Sequence, residues 1–264
     1  MNDEDAMAKP VRSTLRAPFL KRLSQVERGD QYPLNLPFLR RGNLEIEFTT
    51  PVTIFAGENA TGKSTLLEAI AENCGFHMGG GSRDHAYAAP DAKASPLSRH
   101  LRFAWLPRVT RGFFFRADSY LNLARYVDED LGSIALYGGK ALMQQSHGES
   151  FLALFENRLQ ANAQSIFLLD EPESALSPTR QLELLRLLDR WHKSGRAQII
   201  IATHSPLIMA YPHATLLYFD RDGLREVNYR VTSHFQTLAR FFRDPDAMIA
   251  EALAENDSPV SDDH

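Results

Sequence analysis

The stretch Gly57–Thr65 reads GENATGKST and satisfies the pattern G-x-x-x-x-G-K-[ST]. Such a loop wraps backbone N–H groups around phosphate oxygens, because glycine leaves no Cβ in the way. Gly57, Glu58, Asn59, Ala60, Thr61, Gly62, Lys63, Ser64 and Thr65 are therefore the candidate ATP-binding residues. Lys63 would reach the β- and γ-phosphates, Ser64 would help hold Mg2+, and the following helix would turn its positive end to the anion. Downstream, the apolar run Ser165–Leu169 (SIFLL) closes on Asp170-Glu171. An aspartate there can hold Mg2+ through its water shell, and a glutamate one residue on can orient and deprotonate an attacking water. The run IIIA ends in Thr203-His204-Ser205, putting an imidazole within reach of the γ-phosphate and that water. The catalytic candidates are thus Glu171, His204 and Lys63, and the metal candidates are Ser64 and Asp170.

One further string, Gln145–Ser150 (QSHGES), opens a helix just before the SIFLL strand. A serine and a glycine at a helix start offer a hydroxyl, backbone amides and a positive helix end to an anion. The chain's own γ-phosphate already has Gly57–Thr65, so a surplus anion site suggests a phosphate held by another subunit. Ser-x-x-Glu is equally an ordinary capping box, and both readings stand at this point.

These residues need strands and helices to position them. Leu44, Ile46 and Phe48 alternate with glutamates, which reads as a half-exposed strand, and Val52–Ala56 reads as a buried strand running into the glycine turn. Gly62 to about Asn73 reads as a helix stopped by Gly75, and Gly75 to about His100 as a mobile loop or the start of an inserted lobe. Aromatic-rich segments follow at Leu101–Leu106 and Gly112–Arg116, then a helix from Gly148 to about Leu159. SIFLL and Gln198–Ala202 have the continuous apolar character of strands buried on both faces. Ser177-Pro178 starts a helix that runs to about Lys193, with Gly195 after its end. Thr215–Phe219 and Leu224–Tyr229 form a hairpin, and the remainder is helical and acidic. Alternating strands and helices predict an α/β fold with a mainly parallel core sheet, an antiparallel β portion and a helical lobe carrying QSHGES. The organisation expected is one domain over 1–264, a lobe over 75–147, an acidic tail over 244–264 and a loose leader over about 1–12.

Composition bounds the function. The net charge of −4 over 264 residues gives no whole-protein case for nucleic-acid binding. Charge is uneven, however: Val11–Arg41 and Asp91–Arg125 each carry seven Lys/Arg against two acids, so a nucleic-acid partner stays possible. Cys74 is the only cysteine, which excludes an internal disulfide framework and favours a reducing compartment. No apolar run approaches the roughly 20 residues that cross a bilayer, so the expectation is a cytoplasmic chain with no direct membrane insertion.

In order, GENATGKST, QSHGES, FLLDEP, SALSP and IATHSP resemble Walker A, signature, Walker B, D-loop and H-switch of the ABC-ATPase superfamily. GFFFRADS, YGGK and SHGESFLALF resemble features of small, stand-alone bacterial ATPases of the AAA type. The resemblance implies a head-to-tail homodimer with ATP between Walker A of one copy and the signature of the other. Ser146, Gly148 and Glu149 would then bind ATP in trans. It also implies a partner or effector protein, in a soluble nucleic-acid-maintenance or phage-defence setting or, alternatively, as the ATP-binding subunit of an ABC transporter. Departures exist: Ser177 replaces the usual D-loop aspartate, and Arg116 and Asp118 stand about where a Q-loop glutamine would be. For adenine stacking, Tyr32, Phe38, Arg40 and Arg41 are the candidates.

Overall fold

The structure is a computed structural model, which describes residues 14–89 and 92–254. Two sheets organise it. A six-stranded sheet has the order β5-β6-β7-β3-β8-β9, from β3 (Val52–Gly57), β5 (Gly112–Arg116), β6 (Ser165–Asp170), β7 (Ala197–Ala202), β8 (Ala214–Asp220) and β9 (Gly223–Glu226). Its first five members run parallel, and β9 turns back antiparallel on β8. A smaller antiparallel sheet, β2-β1-β4, comes from β1 (Leu20–Gln25), β2 (Glu45–Glu47) and β4 (Leu101–Trp105). The helices are α1 (Lys63–Cys74), α2 (Tyr120–Glu129), α3 (Leu131–Ile134), α4 (His147–Asn157), α5 (Pro178–Ser194), α6 (Pro206–Met209), α7 (Ser233–Arg243) and α8 (Pro245–Ala254).

Every residue of β3, β6 and β7 is buried, as expected of parallel strands covered on both faces. The period-2 alternation of a strand then divides their side chains between two cores. Phe55, Phe114, Leu168 and Ile200 face α1 and the small sheet. Ile54, Phe113, Phe115, Leu169, Ile199 and Ile201 face α2, α4 and α5. Local signals fix the helix ends: Ser177 caps α5 by accepting from Arg180 N–H, Pro178 follows it, and Gly195 closes the helix at φ 64°.

The expected α/β class, with a mainly parallel sheet and an antiparallel portion, is what forms. Several local readings change. β1 has no counterpart in the sequence reading, because a register shift between Leu20 and Arg22 puts Leu20 and Leu23 on one face at a spacing of three. The segment after Gly75 is tied to the main sheet at Gly81, where Gly81 and Phe114 exchange N–H···O bonds of 2.7 and 2.9 Å; residues 90 and 91 of the expected loop lie outside the described residues. Of the 75–147 stretch read as a lobe, β4 and β5 belong to the two sheets, and the helical part starts only at α2. β9 ends at Glu226, short of the expected Tyr229, where a 3-10 turn begins instead. The leader at 1–12 and the tail beyond 254 lie outside the described residues.

The two basic runs meet in the small sheet, where β1 pairs with β4. The edge strand β2 sets Glu45 and Glu47 beside Ser24 and Arg22, and Arg22 Nη1 lies 3.3 Å from Glu45 Oε1. The exposed face is therefore of mixed sign rather than a basic patch.

Candidate active site at the carboxyl ends of the core strands

β3 leads into the loop before α1, and three backbone conformations shape it. Gly57 has φ 139°, and a Cβ there would meet the Phe219 carbonyl oxygen at 2.1 Å. Ala60 and Gly62 are also left-handed, at φ 60° and 95°. Gly62 sits on the Phe38 ring, 2.6 Å from where its Cβ would be, so the loop admits only glycine at its two fixed ends. Inside this turn Lys63 is 5% exposed, and its Nζ donates to the carbonyls of Gly57 (2.7 Å) and Glu58 (2.8 Å). Burial lowers the Lys63 pKa from its usual value, while the carboxylates of Glu171, Asp170, Glu58 and Glu173 act the other way. A lysine in that position prefers an anionic partner.

Asp170, the last residue of β6, lies opposite Ser64: Ser64 Oγ donates to Asp170 Oδ1 at 3.0 Å. Burial pushes the Asp170 carboxyl up to about 7, against the Ser64 hydrogen bond and the charge of Arg116. A buried carboxylate beside a hydroxyl suits a hard cation with oxygen ligands. Ser64 and Asp170 thus fit Mg2+, which takes few protein ligands beside substrate phosphates. Among the described residues, no cluster of three or more His, Cys, Asp or Glu forms a dedicated metal cage. When bound, Mg2+ would neutralise developing charge on the phosphates.

Glu171 follows in a left-handed conformation, φ 50°, with its N–H bonded to Ala202 O at 2.9 Å. A non-glycine residue held there carries strain that the surrounding structure must impose. The result is a half-exposed carboxylate whose Oε1 lies 3.7 Å from His204 Nε2. The His204 backbone N–H donates to Glu173 Oε1 at 2.7 Å, which anchors the turn after β7 to the turn after β6. Burial holds the His204 ring down at about 4, with Lys63 and His234 acting the same way, so it is neutral near pH 7. Lys63, Ser64, Asp170, Glu171 and His204 therefore converge at the carboxyl ends of the interior strands β3, β6 and β7.

The QSHGES helix behaves differently. Ser146 caps α4: its hydroxyl donates to Glu149 Oε2 at 2.7 Å, its N–H donates to the same oxygen at 3.1 Å, and it accepts from Glu149 N–H at 3.4 Å. Glu149 also lies 3.5 Å from Arg180 of α5. Gly148 packs so closely on the next loop that a Cβ would meet Ala175 O at 2.7 Å. Among the described residues, no hydrogen bond joins Ser146, Gly148 or Glu149 to Gly57–Thr65.

Sequence reasoning missed several groups around this site. Arg116 and Asp118, which the sequence places about where a Q-loop glutamine would be, form an ion cluster with Glu68, a partner that no motif pointed to: Arg116, the register partner of Asp170, lies 3.0 Å from Glu68 and 2.7 Å from Asp118. Ser233 and His234, from the start of α7, reach Glu58 and His204 respectively. Of the stacking candidates, Phe38 is only 6% exposed and edge-packed on Phe219, so it is part of the core. Tyr32 remains exposed at 61%, Arg40 donates to Asn35 O and Arg41 is exposed.

Two family models match the chain. Residues 142–210 match one described as "AAA domain, putative AbiEii toxin, Type IV TA system", and residues 36–93 match one described as an AAA domain. Among curated proteins, the chain is 28% identical over 182 residues to a thiamine import ATP-binding protein of Rhizobium meliloti, covering 64% of this chain and 75% of that protein. It is 29% identical over 176 residues to a hemin import ATP-binding protein of Streptomyces coelicolor, covering 61% and 62% respectively. A solved structure, "An inward-facing conformation of a putative metal-chelate type ABC transporter", is similar at 20% identity and a TM-score of 0.45, over 83% of this chain and 88% of that one. The converging site and the matched domains define the class: a P-loop ATPase of the ABC/AAA type. The matched pieces contain GENATGKST on one side and QSHGES, FLLDEP and IATHSP on the other.

Proposed function

We propose that two copies of this chain close head to tail on two ATP molecules, and that hydrolysis at these shared sites works a partner protein. The observation that carries the reading is an asymmetry. One chain gathers Lys63, Ser64, Asp170, Glu171 and His204 at the carboxyl ends of β3, β6 and β7, while Ser146 and Gly148 stand at a separate helix start on α4. In this reading Lys63 and the loop amides bind the β- and γ-phosphates, and Glu171 accepts a proton from the attacking water. Neutral His204 donates from Nε2 toward the γ-phosphate, and Ser146 and Gly148 contact that phosphate from the other copy.

For the setting, the two curated relatives are both named as import ATP-binding proteins. They favour the transporter-subunit alternative over the nucleic-acid-maintenance or phage-defence reading, and the partner they suggest is a membrane permease. The description of the model over 142–210 keeps a toxin–antitoxin system as the second reading. The mixed charge of the small sheet lends nucleic-acid binding no support. No described helix is long and apolar enough to cross a membrane, so a membrane role would run through a partner.

Ser146→Arg tests the shared site. It should leave nucleotide binding by one chain intact and stop hydrolysis, because the bulky cation fills the space for the partner's γ-phosphate. Mixed with inactive Lys63→Ala, it should regain activity, since one of the two composite sites then pairs an intact Walker A with an intact signature. Normal hydrolysis by a monomeric Ser146→Arg chain would reduce QSHGES to a helix cap.

A further inference from the structure

α7 brings a second histidine to the active site. His234 Nε2 lies 3.1 Å from His204 Nδ1, and the two rings are tilted at 49° with centroids 5.3 Å apart. Two ring nitrogens share a hydrogen bond only when one carries a proton and the other does not. On its far side, His204 Nε2 faces the Glu171 carboxylate at 3.7 Å, and an ionised carboxylate can only accept. The His204 proton is therefore best placed on Nε2, which leaves Nδ1 as an acceptor and makes His234 Nε2–H the donor.

We propose that His234 is a positioning residue for ATP hydrolysis: it fixes the tautomer and ring orientation of His204, so that Nε2–H points to the reacting phosphate. The inference rests on the role given to His204 under the proposed function.

The contacts at the start of α7 fix the place of His234. Thr232 caps α7, accepting from Phe235 N–H at 3.3 Å and donating to Tyr229 O at 2.7 Å. Ser233, the next residue, donates to Glu58 Oε1 of the phosphate loop at 2.6 Å and lies 3.0 Å from the Tyr218 hydroxyl of β8. The first turn of α7 is thus tied to the phosphate loop through Ser233 and to the H-switch through His234. A shift of α7 would disturb both at once. The charged groups near the pair are Glu58 and Lys63 on the phosphate loop side and Glu171 on the Walker B side. Burial and Lys63 hold the His234 ring below its usual pKa, which agrees with two neutral rings joined by one N–H···N hydrogen bond.

The test is single-turnover and steady-state hydrolysis of Mg-ATP by the full chain. It compares wild type, His234→Ala, His234→Gln, His204→Ala and the double variant His204→Ala/His234→Ala, with ATP affinity measured alongside. His234→Ala should lower kcat by about tenfold or more with KM for ATP within about twofold, as loss of a histidine's orienting partner does elsewhere. His234→Gln, whose side-chain amide can donate from nearly the same place, should recover most of the rate. On the His204→Ala background, loss of His234 should cost nothing more, because its only route to the chemistry is already gone. Wild-type turnover by His234→Ala would overturn the proposal, as would an equal further loss on the His204→Ala background. So would lost ATP affinity in both His234 variants, which would mark a purely structural role. Wild-type turnover by His204→Ala would instead sink the underlying role of His204, and a wild-type chain that never hydrolyses ATP would sink the ATPase reading itself.

Discussion

The two halves of the proposed shared ATP site are built by different means. The half that a single chain completes stands on the ends of β3, β6 and β7, strands buried along their whole length. Its side chains are held by contacts between elements far apart in sequence: Ser64 to Asp170, His204 to Glu173, His204 to His234. The half assigned to the opposite copy is one helix turn in which Ser146 and Glu149 are exposed and satisfy each other, while Gly148 is buried against Ala175. Preorganisation therefore lies almost wholly on the Walker A side. In the proposed dimer the signature side would contribute by arriving, which would make closure of the dimer the natural control point for hydrolysis.

The largest break in that comparison is Lys63→Ala. It removes the cation from a site of low dielectric where several carboxylates already crowd. ATP affinity should fall by at least about a hundredfold in a fluorescent-nucleotide titration, and hydrolysis should vanish with it. Near-normal affinity would mean that Gly57–Thr65 is not the phosphate site.

Glu171→Gln separates binding from chemistry within the preorganised half. The residue sits at φ 50° with its carboxylate beside His204, and glutamine keeps its shape without its basicity. Mg-ATP should still bind, turnover should slow by at least about a hundredfold, and an ATP-dependent dimer should accumulate in light scattering. Wild-type turnover would move the general base elsewhere, with His204 the first suspect.

Much of this half was legible in the sequence, because each motif is a short string at the end of a buried apolar run. GENATGKST, FLLDEP and IATHSP carry their own context, and the strands before them announce themselves by composition. What could not be read were contributions made across space. His234 is an ordinary helix-start residue until β8 and β9 fold the chain back and lay α7 over the phosphate loop. Glu68 looks like an exposed helix position until Arg116 meets it from β5. Phe38 looked free to stack on a base, yet the close approach of Gly62 needs that ring as its floor. β1 escaped because its bulge breaks the two-residue period on which strand recognition depends.

The smallest expected effect sharpens the comparison from the signature side. Glu149 Oε2 takes both the Ser146 hydroxyl and the Ser146 N–H, the donors that an incoming γ-phosphate would use. Those bonds, with Arg180 close by, lower the Glu149 pKa, so the residue is a full anion near neutral pH. In the proposed dimer a phosphate would therefore have to displace a carboxylate and sit beside its charge. Glu149→Gln removes the charge and keeps a side chain that can complete the capping box. Its loss of a favourable charge at a helix start should be slight, with Tm falling by less than about 2 °C. The ATP concentration for half-maximal dimer formation should drop by about two- to fivefold, the size expected of one exposed like-charge contact. That gain should shrink in high salt, because exposed charges are screened. If Ser146 is only a helix cap, the substitution should touch stability and leave ATP-dependent dimerisation unmoved. Weaker dimerisation in Glu149→Gln would mean instead that the carboxylate itself makes a favourable contact across the interface, with Arg180 of the opposing copy the first group to examine.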